Sequence, residues 1–89
     1  INGNLCNLFT TKTISKNFAT IGSSGNYLAF NIPVVDGYKP LCIIAINLPA
    51  NVGINFFNIS GYTANVNFYG HVNNPATTCS IVVLYTKVL

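Results

Sequence analysis

Apolar and polar residues alternate along much of this chain, and residues 62–69 show the alternation most clearly. The apolar side of this stretch consists of Tyr62, Ala64, Val66 and Phe68, and the other side of Thr63, Asn65, Asn67 and Tyr69. A period of two residues is typical of an antiparallel strand with one face buried. Residues 54–60 predict a second strand, and Ser60 with Gly61 predicts the tight turn of a β-hairpin.

The same pattern predicts five further short strands in the rest of the chain. These are residues 5–14, 17–21, 27–34, 41–48 and 77–88. The last is apolar on both faces, which indicates either a central strand or packing against a neighbouring subunit. Helix signals are nearly absent, because Glu and Gln do not occur and no segment has apolar residues at helical spacing. We expect an all-β fold: an antiparallel, jelly-roll-like β-sandwich of about seven short strands without substantial helix.

Composition narrows the possible partners. The 89 residues make one domain, residues 1–89, and only five carry formal charge: Lys12, Lys16, Asp36, Lys39 and Lys87. Asn, Thr and Ser must therefore cover most of the solvent-facing surface. Four scattered lysines without arginine form no basic stripe, so we expect no nucleic acid partner. The longest apolar run, residues 41–46, is far shorter than the ~20 residues of a membrane-spanning helix, so we expect no membrane insertion.

Catalytic residues are too few for the common reaction types. Asp36 is the single acid, so no carboxylate pair exists, and His71 is the single histidine that could act as a base. A Cys–His dyad is formally possible, although no cysteine has a nearby Lys or Arg in the sequence to lower its pKa. Cys6, Cys42 and Cys79 are scattered, which predicts three buried, reduced thiols, with one disulfide and a leftover thiol as the alternative. Their spacing does not favour a zinc site. We expect no enzyme activity, no metal and no cofactor.

What remains is a binding or structural surface. Amides can donate and accept hydrogen bonds toward sugar hydroxyls, while aromatic rings cover the apolar side of a sugar ring. Candidate contacts are Asn65, Asn67, Tyr69 and His71 on one outward face, with Tyr38 in the turn at residues 35–40 as an outlier. The alternative for the asparagines is simple solvation, and for His71 a place at a strand end or in a surface groove. The apolar last strand favours an oligomer, with a three-fold as the natural form at the end of a fibre.

Three stretches of the second half resemble a known family. They are "VDGYKPLCIIAINL", "INFFNISGYTANVNFYGHVNN" and "CSIVVLYTKVL". They resemble the C-terminal receptor-binding tip domains of tail-fibre and baseplate proteins from phages of Gram-positive gut bacteria. The matching positions are Gly37, Tyr38, Pro40, Leu84, Tyr85 and Lys87. The cysteines depart from the family pattern, and nothing before residue 35 resembles it.

The resemblance implies a homotrimeric β-sandwich head that binds a host wall polysaccharide or teichoic acid and performs no chemistry. It also implies a virion protein of the tail tip, extracellular in action and produced in the bacterial cytoplasm. Because Ile1 begins the chain without a methionine or a signal-like leader, we expect a fragment, a processed product or a domain cut from a longer chain. The resemblance implies that this is the C-terminal part of a longer fibre-like chain. The alternative function is a structural trimerisation or capping module of a fibre, virion or surface protein that has no ligand of its own.

Overall fold

A computed structural model describes residues 8–17, 27–50, 52–70 and 77–88, and of Tyr27 the backbone only. In these ranges the chain forms six strands and no helix. The strands are β1 (Phe9–Asn17), β2 (Tyr27–Asn31), β3 (Tyr38–Asn47), β4 (Val52–Ser60), β5 (Thr63–Gly70) and β6 (Thr78–Lys87). No helix in this part of the chain is long and apolar enough to cross a membrane.

The six strands form two antiparallel sheets that pack face to face. One sheet has the order β1-β6-β3, and the other has the order β2-β5-β4. The first strand therefore pairs with the last, and the second with the last but one. This nested pairing is the winding of a jelly roll, and the predicted antiparallel β-sandwich is confirmed.

The core lies between the central strands of the two sheets. On β5 and β6 every second side chain is buried, as the sequence alternation predicts. The buried apolar residues of the described chain are Leu28, Phe30, Ile32, Ala64, Val66, Phe68, Cys79, Ile81, Val83 and Tyr85. β6 is the central strand of its sheet, and the apolar residues of its inner face pack in the domain's own core.

Among the described residues Tyr85 has the largest fully buried side chain, and its hydroxyl has a partner inside the domain. It donates a hydrogen bond of 2.6 Å to the backbone carbonyl of Pro33, in the segment between β2 and β3. Burial raises the pKa of the Tyr85 phenol, and the nearby Tyr62 raises it further. This hydrogen bond attaches the segment between β2 and β3 to the core. It also gives the buried hydroxyl a partner, so the free-energy cost of burying an unpaired polar group is avoided.

Strand number and the hairpin turn differ from the sequence prediction. Six strands are described rather than seven, since the second predicted strand starts at the last residue of β1 and residues 18–21 lie outside the described part. The hairpin turn is Gly61 and Tyr62, one residue later than predicted, because Ser60 still pairs with Thr63. Gly61 has a φ of 59°, a left-handed conformation that suits glycine. Tyr62 therefore lies in the turn, 43% exposed, and not on the inner face.

The two described cysteines differ in burial. Cys79 is buried and Cys42 is half-buried, and both are free thiols. Cys42 is paired with Leu84 on the outer face of its sheet, so the prediction of a buried core thiol is correct for Cys79 and wrong for Cys42. Cys6 lies outside the described residues.

Candidate functional site

The candidate site is the outer face of the β4–β5 hairpin. Alternation on β5 sends Ala64, Val66 and Phe68 into the core and the residues between them outward. We call the outward side chains of this hairpin the amide–aromatic face: Asn55, Phe56, Asn58, Asn65, Asn67 and Tyr69. All six are exposed or half-buried.

Two cross-strand pairs of asparagines form the centre of this face. Asn65 donates from Nδ2 to Oδ1 of Asn58 at 3.1 Å, and these two residues are directly opposite in the strand register. Asn55 donates from Nδ2 to Oδ1 of Asn67 at 2.9 Å. An amide side chain has two donor hydrogens and an acceptor oxygen with two lone pairs. Each pair therefore fixes the orientation of its two amides.

A β-bulge in β4 brings Asn55 into this arrangement. The register shifts between Ile54, which pairs with Phe68, and Phe56, which pairs with Asn67. The extra residue is Asn55, so two residues of β4 stand opposite one of β5. The bulge places an amide and an aromatic ring side by side across from Asn67.

Tyr69 lies at the end of the face, across Gly53 of the neighbouring strand. Gly53 and Tyr69 are paired, and a Cβ at Gly53 would overlap the tyrosine ring, with Cε2 only 2.8 Å away. The missing side chain of Gly53 thus gives the ring room to lie over the strand. Tyr69 is still 55% exposed. The result is an aromatic platform beside the asparagine pairs.

This whole sheet lacks formal charge. None of the residues of β2, β4 and β5 is acidic or basic. Lys16 of β1 approaches the sheet, but its ammonium group donates to the backbone carbonyl of Ala29 in the edge strand β2, at 2.7 Å. The face therefore offers hydrogen-bonding amides and aromatic rings, and its strands carry no formal charge.

The structure brings three of the five predicted site residues together. Asn65, Asn67 and Tyr69 alternate along β5 on the outward face. Tyr38 is the first residue of β3 in the opposite sheet and packs against the core, so it is not part of this face. His71 lies outside the described residues.

The sequence prediction missed the residues that β4 contributes. Once the turn is Gly61 and Tyr62, simple antiparallel pairing puts Asn58 opposite Asn65, so a correct turn would have found this pair. To place Asn55 opposite Asn67, the β-bulge would have had to be predicted as well. The role of Gly53 depends on the ring position of Tyr69, for which the chain carries no local signal.

A second surface feature is a groove between the edge strands β3 and β4. It encloses about 260 Å³ and is lined by Ile43, Ile44, Ala45, Ile46, Ile54 and Phe57. Ile44 and Phe57 are about half exposed, at 53% and 47%. Two register shifts, between Pro40 and Cys42 and between Ile43 and Ala45, interrupt the pairing of β3 with β6. The groove is an apolar surface between two strand edges, one from each sheet.

Comparisons with known proteins identify no relative of this chain. No protein-family model, curated protein or solved structure matches the chain. In the described ranges no three His, Cys, Asp or Glu side chains come together as they would around a metal ion.

Proposed function

We propose that this domain is a non-catalytic host-recognition module of a phage tail fibre or baseplate protein, which binds cell-surface glycan as a homotrimer. The observation that carries the proposal is the amide–aromatic face, with two ordered asparagine pairs beside the ring of Tyr69. The virion location and the glycan class come from the sequence resemblance.

The chemistry of the face suits a sugar. Hydroxyl groups need partners that both donate and accept, and the asparagine amides do both. The apolar side of a pyranose ring needs a flat apolar surface, which the exposed ring of Tyr69 offers. Because the asparagine pairs already hold their amides in place, binding would order few additional rotamers.

The buried thiol of Cys79 supports a non-catalytic function. Cys79 is buried, and burial raises the pKa of its thiol to about 11, so at neutral pH it is protonated and a poor nucleophile. It faces the sandwich interior and not the amide–aromatic face.

For the homotrimer, support comes from the groove between β3 and β4. At ~200 Å² per aromatic side chain, the exposed 47% of Phe57 presents about 100 Å² of apolar surface in this groove. This is about an eighth of the ~800 Å² that each partner buries in a standard interface, and Ile44 and Ala45, which also line the groove, add to it. The occupant that we propose is a second copy of this chain, in a head-to-tail contact that closes as a three-fold ring.

Binding to cells tests the function. The purified domain is titrated onto Gram-positive cells and wall extracts, with Tyr69→Ala, Tyr69→Phe, Asn67→Ala and Gly53→Ala as variants. We expect about a tenfold loss for Tyr69→Ala, which removes the platform, and a small change for Tyr69→Phe, which keeps the ring. Gly53→Ala should weaken binding because the new methyl group displaces the ring.

Thr13→Ala is the matched control, since Thr13 is an exposed residue on the outer face of the other sheet. It should bind as the unmodified domain does. If Asn67→Ala and Tyr69→Ala, folded and of unchanged mass, both bind cells normally, this face is not the site.

The second candidate is a structural trimerisation module without a ligand, and the apolar groove is the observation that favours it. It predicts the same association and no glycan binding. Light scattering followed by the cell-binding titration on the same sample separates the two, because a trimer that binds neither cells nor wall extracts supports the structural module.

A further inference from the structure

The charges of this chain are distributed unevenly between its two sheets. Lys12 and Lys16 lie in β1, Lys39 in β3 and Lys87 in β6, while Asp36 lies in the turn before β3. All five charged residues of the chain are thereby outside β2, β4 and β5. The sheet that carries the amide–aromatic face has none.

Lys16 is the lysine that reaches toward this sheet, and its ammonium group is engaged there. It donates to the Ala29 carbonyl in β2, and the strand order places β2 on one side of β5 and β4 on the other. Tyr69 and Gly53 lie on the β4 side. The lysine therefore holds the two sheets together at one edge and is not aimed at the platform.

An anionic polymer that bound to this face would regain little of the free energy that its charged groups lose when they give up water. A cation compensates most strongly for the water that a phosphate or carboxylate loses, and this sheet has none. The face of an aromatic ring is also the negative side of its quadrupole, so Tyr69 would repel an anion stacked on it. A neutral sugar meets neither penalty, since its hydroxyls match the amides and its apolar side matches the ring.

We infer that the ligand of this face is an uncharged polysaccharide and not a phosphate-bearing wall polymer such as a teichoic acid. This inference rests on the proposed function. It narrows the glycan by chemical class: neutral hexose units whose ring stacks on Tyr69 and whose hydroxyls bond to the Asn55–Asn67 and Asn58–Asn65 pairs.

The test uses wall extract from Gram-positive cells that the domain binds, separated by anion exchange into a neutral polysaccharide fraction and a phosphate-rich fraction. We expect binding to the neutral fraction, with an apparent Kd that changes less than about twofold between low salt and ~0.5 M NaCl, because salt screens only charges. Tyr69→Ala should lose this binding.

A charge-reduced variant, Lys12→Gln with Lys39→Gln, is the control for the lysines, both of which are exposed. It should bind the neutral fraction as the unmodified domain does. Binding confined to the phosphate-rich fraction, or a tenfold loss in high salt or in the charge-reduced variant, overturns the inference and leaves glycan recognition intact. Binding to neither fraction, although the domain binds the cells, overturns the proposed function itself, because the receptor is then not a wall glycan.

Discussion

Two weak acids lie on the inner face of β6, and the fold keeps both protonated. Cys79 and Tyr85 are fully buried, and burial raises the pKa of each. For Cys79 the pKa rises from 9.0 to about 11. The folded chain therefore binds these protons more tightly than the unfolded chain, and folding is linked to pH on the alkaline side.

We predict that the free energy of unfolding falls as the pH rises from about 9 to about 11. In this window the unfolded chain releases the Cys79 proton while the folded chain retains it. Two pKa units correspond to a loss of about 3 kcal/mol, and Tyr85 adds to the loss above pH ~10. Urea unfolding at a series of pH values measures the effect.

Cys79→Ala should make this decline with pH smaller, because it removes one of the two groups. Val83→Ala is the matched control: it also removes buried atoms from the inner face of β6, and it titrates nothing. It should lower stability by a similar amount at every pH. An unchanged decline in Cys79→Ala would contradict the assignment.

At the scale of the elements, the β4–β5 hairpin determines the candidate site. Its two-residue turn sets the register that pairs Asn58 with Asn65, and its bulge adds Asn55 opposite Asn67. A shift of one residue would turn every outward side chain inward. The turn is therefore the element on which the geometry of the face depends.

Substitution of Gly61 tests whether this turn needs a left-handed backbone conformation. Its φ of 59° is unfavourable for a side chain with a Cβ, although no atom lies within 4 Å of the position that a Cβ would occupy. Gly61→Val should lower the free energy of unfolding by about 1–2 kcal/mol through backbone strain alone. Gly61→Asn should cost less, because asparagine tolerates this conformation better.

Urea unfolding of both variants and of the unmodified domain makes the comparison. Equal stability of Gly61→Val and the unmodified domain would show that this turn does not need the left-handed conformation. The glycan titration on Gly61→Asn then reports whether the register of the face has been kept.

For the whole molecule, the surface that we propose for association is the groove between β3 and β4 and not the last strand. The sequence favoured an oligomer because residues 77–88 are apolar on both faces. In the fold the inner face of β6 is filled by its own core, and on its outer face Val82 and Leu84 are half-buried. At the β3–β4 edge, a single copy of the chain leaves the apolar side chains of Ile44 and Phe57 about half exposed.

Ile44→Lys should abolish association, because it places a charge in the middle of the proposed contact. The unmodified domain should have about three times the 9.6 kDa mass of one chain in light scattering, and the variant the mass of one chain. Thr11→Lys adds the same charge on an exposed position of β1 and should leave the mass unchanged. A variant that keeps the trimer mass would place the contact elsewhere.

The sequence by itself determined the local features of this protein. Alternation with a period of two predicted the strands, the buried set on β5 and the outward position of Asn65, Asn67 and Tyr69, because side chains of an extended chain must alternate between its faces. Composition alone showed a surface with almost no charge.

Only the tertiary structure decided which strands are neighbours and in which register. It put β6 in the centre of its sheet, moved Tyr38 to the opposite sheet, brought Asn55 and Asn58 to the predicted asparagines and laid Tyr69 over Gly53. These features depend on contacts between residues distant in the chain, on one bulge and on a one-residue difference in a turn. No local pattern of residues specifies them, because the free energy that selects one pairing over another comes from packing the whole sandwich.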